Sequence, residues 1–77
     1  MTLMELMEEI RLDSTNIYSV SYDPRREILI VRFRNNTRYR YFDVPESVFQ
    51  DLLDAESHGK FFHKNIRNVF VFEKMGD

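Results

Sequence analysis

Between Leu29 and Pro45, apolar and aromatic side chains alternate with arginines: Leu-Ile-Val-Arg-Phe-Arg-Asn-Asn-Thr-Arg-Tyr-Arg-Tyr-Phe-Asp-Val-Pro. Successive side chains of a strand point to opposite faces, so a period of two demands a sheet with one buried side and one polar side. The segment predicts a strand over Ile28–Arg34, a turn at Asn35-Asn36-Thr37 and a strand over Arg38–Asp43. Leu29, Val31, Phe33, Tyr39 and Tyr41 then share the face to be buried, and Arg32, Arg34, Arg38 and Arg40 share the other. Upstream, Tyr18, Val20 and Tyr22 alternate with Ser19 and Ser21, which marks a strand from Asn16 to Tyr22. Asp23-Pro24-Arg25-Arg26-Glu27 joins the two, with Pro24 presetting φ for a turn.

Matching the apolar faces sets the register. A four-residue loop, Pro24 to Glu27, puts Tyr22 opposite Leu29, Val20 opposite Val31 and Ser19 opposite Arg32. A three-residue loop, Asn35 to Thr37, puts Phe33 opposite Tyr39 and Val31 opposite Tyr41, and it pairs Arg34 with Arg38 and Arg32 with Arg40. A slip by one residue would turn every side chain to the wrong face.

Around this meander the pattern predicts helices and a last strand. Leu3, Leu6, Met7 and Ile10 recur at helical spacing, so Leu3–Arg11 reads as a short amphipathic helix with Glu5, Glu8 and Glu9 outside its stripe. Pro45, with Asp43 as cap, opens a helix striped by Val48, Phe49, Leu52 and Leu53, and Ser57 caps a second carrying Phe61, Phe62 and Ile66. Val69-Phe70-Val71-Phe72 reads as a strand apolar on both faces, central in the sheet or covered by another subunit. The expected fold is α+β: a three-stranded antiparallel meander plus a C-terminal strand, two short helices on one face and an extra N-terminal helix. Residues 1–13 form that helix and residues 14–74 a single domain.

The 77 residues hold one core and, without cysteine, neither a disulfide nor a cysteine-ligated zinc site. An unstapled domain this small is marginally stable, which makes a homodimer an expectation. With no membrane-length apolar run and no signal-peptide pattern, a cytoplasmic location is expected. Net charge is −2, but its distribution is uneven: residues 32–42 carry four arginines and no acid, while the flanks carry 13 acids against seven bases. Such a local field attracts an anion within about 8 Å at physiological salt.

The order Ser14, Ile17, Tyr22-Asp23, Leu29-Ile30-Val31-Arg32-Phe33, Tyr39-Arg40-Tyr41, Asp43-Val44-Pro45, Phe49, Leu52, Ala55, Ser57, Gly59, Phe61-Phe62, Ile66-Arg67 resembles the KTSC domain. That family is named for a segment at the C-terminus of some lysyl-tRNA synthetases and includes small stand-alone bacterial and phage proteins. The resemblance covers about Ser14 to Phe72 and rests on Tyr39-x-Tyr41, Val44-Pro45 and Ala55-x-Ser57-x-Gly59 taken together. It brings no established activity, and the synthetase context suggests RNA as partner. Asn35-Asn36 stand where relatives usually have glycine, and His63 where asparagine is common.

For function, the four arginines predict a phosphate-binding face, with Ser19 and Ser21 as added hydroxyl donors. Two bland readings compete: neutralisation by Glu5, Glu8 and Glu9 of the N-terminal helix, or plain solvation of guanidinium groups whose stems pack on the sheet. Tyr39 and Tyr41 could stack bases, but their face assigns them to core packing, with Val44 and Pro45 as the rest of a structural motif. Lys60, Lys64 and Arg67 read as a solvated helix face. His58 and His63, five apart, do not share a helical face for a metal, and Ser57-His58 is not a triad. The expectation is a non-catalytic binding module for RNA without cofactor, metal or small-molecule substrate; the alternative is a protein-interaction or homodimerising module.

Overall fold

The computed structural model describes residues 8–76. Three strands make the expected meander: β2 (Ile17–Asp23), β3 (Ile28–Phe33) and β4 (Arg38–Tyr41). They are flanked by β1 (Ile10–Arg11) and β5 (Phe72–Met75), giving a five-stranded antiparallel sheet in the order β1-β2-β3-β4-β5. Helices α1 (Glu46–Asp54) and α2 (His58–Asn65) pack on one side.

The β2–β3 register is the expected one, with Tyr22 opposite Leu29, Val20 opposite Val31 and Ser19 opposite Arg32. The loop is held by the Asp23 carboxylate, which accepts from Arg25 N at 3.0 Å, and by Glu27 at φ 55°. Beyond Ser19 the register shifts, so Ile17 faces Phe33 and Tyr18 is the extra residue of a β-bulge.

The β3–β4 register differs from the expectation by two residues. Val31 faces Tyr39, Leu29 faces Tyr41 and Arg32 faces Arg38. The loop is Arg34-Asn35-Asn36, closed by Phe33 N donating to Thr37 O (2.8 Å) and Asn36 N donating to Phe33 O (2.9 Å). A three-residue hairpin loop ends on a left-handed residue. Asn36 supplies it at φ 70°, whereas the expected loop would have required β-branched Thr37 there. A two-residue shift preserves both faces, so the arginine and tyrosine sides stand as expected.

The N-terminal helix is not found. Of its expected span, residues 1–7 lie outside the described residues, and Ile10–Arg11 are strand β1, paired with Val20 and Ser19. Ile10 is half-buried, Arg11 exposed and Leu12 buried, an alternation that the helical reading of Ile10 overlooked. The last strand also moves. Residues 66–70 wind off α2, with Val69 N and Phe70 N donating to Ile66 O (3.1 and 3.2 Å), and Val69 and Val71 are 62% and 74% exposed. The strand begins only at Phe72, as an edge rather than a central strand.

Ser57 caps α2 as expected, accepting from Lys60 N at 3.2 Å. Asp43 does not cap α1: it sits at φ 58°, and Pro45 occupies the N-cap position without a side-chain hydrogen bond. The core lies between sheet and helices. Ile17, Val20, Leu29, Val31 and Tyr41 from the sheet meet Phe49, Leu52, Phe62 and Ile66, with Val44 sealed beneath the β4–α1 connection. Tyr22 stacks on Phe49 (4.8 Å between centroids, 12°) and donates to Val44 O at 2.6 Å.

Candidate nucleic-acid interface

The sheet side away from the helices carries Ser19, Ser21, Arg32, Arg38 and Arg40, as the alternation requires. Arg11 joins them, because it pairs with Ser19. Two of the arginines meet glutamates. Arg32 Nη1 lies 3.3 Å from Glu9 Oε2 and Arg40 Nη2 lies 2.5 Å from Glu73 Oε2. Glu9, expected on a helix, delivers its carboxylate from the residue before β1; Glu73 is brought in by β5, opposite Arg40. These contacts are solvent-exposed, and exposed ion pairs hold an arginine in place more than they bind it.

Ser19 is buried and donates from Oγ to Glu9 Oε2, so its hydroxyl is committed within the fold. That hydrogen bond, more than Arg32, holds the Glu9 carboxyl below the usual range, against partial desolvation. Ser21 is half-buried on the same side.

Arg34 leaves the patch. It is the first loop residue, and its side chain donates to Ser14 O (2.9 Å) and Leu12 O (3.5 Å), tying the hairpin to the β1–β2 connection. The bulge turns Tyr18 among cations: Arg11, Arg32 and Arg34 lie 4.1, 5.2 and 5.4 Å from its ring centroid, within cation–π range. Arg11 and Tyr18 were not legible as site residues, because no sequence signal marked the bulge or β1.

Arg38 is exposed and has no ion-pair partner among the described residues. It stands directly opposite Arg32, a like-charge pair that destabilises the ladder and that Glu9 meets on the Arg32 side only. At the hairpin tip Arg32, Arg38 and Lys74 border a concavity of about 400 Å³ with Asn36 and Thr37, and no carboxylate of the described residues lines it. Arg32 is aimed there by donating from Nε and Nη2 to Asn36 Oδ1 (3.1 and 2.8 Å).

On the helix side, Tyr41 is buried as expected. It meets Phe62 edge-on (5.5 Å), and burial, with Tyr39 beside it, pushes its phenol up to about 12. Tyr39 is only half-buried, 5.8 Å from Phe33 and 5.7 Å from Phe72. A cleft of about 570 Å³ opens over these rings between the hairpin tip, α2 and β5. The helices therefore cover Tyr41 and leave Tyr39 at a margin, where the sequence had both sealed. Val44 is fully buried and Pro45 exposed at the start of α1, both structural.

Among the described residues no group of three or more His, Asp or Glu could hold a metal ion. His58 donates from Nδ1 to Leu52 O at 2.8 Å, linking α1 to α2. His63 contacts Arg67 through Nδ1 at 3.2 Å. No helix is long and apolar enough to cross a membrane among these residues.

A five-stranded antiparallel sheet backed by two helices, with a cation-rich opposite face, defines a small α+β domain. The chain belongs to the KTSC domain family, which matches residues 13–70. The chain is similar to the crystal structure of a KTSC domain protein from Yersinia pestis, with a TM-score of 0.88 and 36% identity over 91% of this chain and 99% of that one. An uncharacterized protein of Stutzerimonas stutzeri is 41% identical over 58 residues, which are 75% of this chain and 82% of the relative. A lysine–tRNA ligase of Nostoc punctiforme is 35% identical over 66 residues, 86% of this chain but 12% of the ligase.

Proposed function

We propose that this KTSC domain is a non-catalytic module that binds RNA through the tip of the β3–β4 hairpin. The observation that carries the reading is the opposed Arg32–Arg38 pair beside a concavity that no carboxylate of the described residues lines. Arg38, with no ion-pair partner among the described residues, and Arg32, whose contact with Glu9 is solvent-exposed, together suit a phosphate, which donors of both can reach. The patch is narrower than the alternation suggested: glutamates engage Arg40, Ser19 and one nitrogen of Arg32, and backbone carbonyls engage Arg34. Similarity to part of a lysine–tRNA ligase is consistent with an RNA partner. A cytoplasmic location accompanies it.

A homodimer through the β5 edge has one observation in its favour, the exposure of Val69, Val71 and Phe72 beside that strand. It is the weaker reading. Of the face-preserving antiparallel registers, those centred on Glu73 or Lys74 set like charges directly opposite, which destabilises a strand pair, and only one centred at an end of the four-residue strand, such as Phe72, avoids this.

Salt dependence tests the RNA reading. Binding of an RNA that has both a stem and a single-stranded loop should weaken steeply with salt, and Arg38→Ala should lower the slope of log K against log salt by about 0.7 to 1. Equal slopes for the variant and the parent, or no binding at low salt, would retire it. Salt-insensitive self-association abolished by Phe72→Asp would favour the dimer instead.

A further inference from the structure

We infer that the aromatic cleft on the opposite side of the hairpin tip receives an unpaired base, so that the domain takes single-stranded rather than duplex RNA. This rests on the RNA reading for the class of partner and adds its form. The floor is aromatic: Phe33, Tyr39 and Phe72 present rings beside buried Phe62 and Tyr41. Phe72 is 47% exposed and Tyr39 half-buried, so both leave ring surface free for a flat ligand. A volume of about 570 Å³ falls within the roughly 300–1,000 Å³ of sites that hold small molecules.

The margin supplies charge and hydrogen bonding. Arg34, His63 and Arg67 line the cleft with asparagine and threonine residues, and among the described residues no Asp or Glu does. An apolar groove built for a protein helix or an aliphatic ligand would have no need of that one-signed rim. A base with its phosphate needs both parts: a ring to stack on and a cation beside it. Thr37 lines both this cleft and the cationic concavity at the hairpin tip. A strand passing over the tip can therefore set a phosphate against Arg38 and a base over Tyr39. A duplex cannot, because its bases are stacked inside and turned away from such a cleft.

The test compares three labelled probes: a single-stranded uridine oligonucleotide of roughly ten residues, the same backbone with abasic riboses, and an RNA duplex of equal length. The parent should bind the uridine strand more tightly than the abasic one or the duplex. Phe72→Ala and Arg67→Ala alter exposed positions and should spare the fold. Phe72→Ala should weaken the uridine strand by about 5- to 150-fold while leaving the abasic strand unchanged. Arg67→Ala should weaken the uridine strand too, and Arg38→Ala should weaken all three. Equal affinity for uridine and abasic strands, unmoved by Phe72→Ala but still reduced by Arg38→Ala, would overturn the cleft and leave the RNA reading standing. No affinity for any probe would overturn both.

Discussion

Replacing Tyr22 by Phe removes one oxygen and nothing else from a tight junction. The Tyr22 hydroxyl donates to Val44 O at 2.6 Å, and Val44 is fully buried. Val44 N in turn donates to Glu27 O at 2.8 Å, so this segment pins the β4–α1 connection to the first turn. The ring stays stacked on Phe49 in the variant, which isolates the hydrogen bond. A buried carbonyl left without its donor costs about 1–3 kcal/mol. For a chain of this size the total stability is about 4–12 kcal/mol, and each kcal/mol moves Tm by about 4–8 °C. Tyr22→Phe should therefore lower Tm by at least about 4 °C. Tyr41→Phe is the control. Its hydroxyl has no hydrogen-bond partner among the described residues, so its removal at neutral pH should leave Tm nearly unchanged. Thermal unfolding followed by circular dichroism distinguishes the two. Equal losses for both variants, or none for Tyr22→Phe, would refute the assignment of the hydrogen bond as a structural tie.

The same Tyr41 fixes an alkaline limit. Its folded pKa lies at about 12 against an ordinary 10.0, so the neutral phenol is favoured by folding; that stabilisation is intact below pH 10 and lost as pH rises toward 12. The alkaline loss seen in the parent by urea unfolding should shrink in Tyr41→Phe. At the acid end, Glu9 has a lowered folded pKa, so its contribution is present above the unfolded value of 4.5 and lost as pH falls through the folded one. Carboxyl chemical shifts should show Glu9 titrating below 4.5, and Ser19→Ala should move it back upward. At the hairpin tip, Asn36→Val should lower Tm, because a β-branched residue resists the left-handed φ of 70° and the Oδ1 acceptor for Arg32 is lost.

The sheet faces were legible because period two survives any even error in register. Tyr22, Val20 and Ser19 found their partners across β2–β3 because one four-residue loop matched the faces. The same test could not separate Val31–Tyr39 from Val31–Tyr41, which share a face; only the need for a left-handed residue at the loop's end decides for Asn36. Ile10 satisfied a helical spacing and a strand spacing alike, and pairing with Val20 decided between them. Val69 and Val71 have strand composition, but the winding of the chain off α2 exposes them first.

The candidate site was half legible. Side-chain parity placed Arg32, Arg38 and Arg40 on one face, yet the glutamates that engage two of them depend on where β1 and β5 begin. Arg34 left the ladder because the loop started one residue early. The cleft has no sequence signal, because alternation assigns the whole tyrosine face to the core without showing how far the helices reach over it. Helix α2, at eight residues, is about 12 Å long, and its Phe62 reaches Tyr41 and Phe33 while Tyr39 and Phe72 remain at the open margin.

Amide chemical shifts of the whole chain, recorded while a single-stranded RNA is added at low salt, report on the central claim most directly. The changes should gather at residues 32–39, 67 and 72–75, around the hairpin tip and the adjoining cleft. Shifts confined to α1 or the β1 edge, or a spectrum that RNA leaves unmoved, would contradict it.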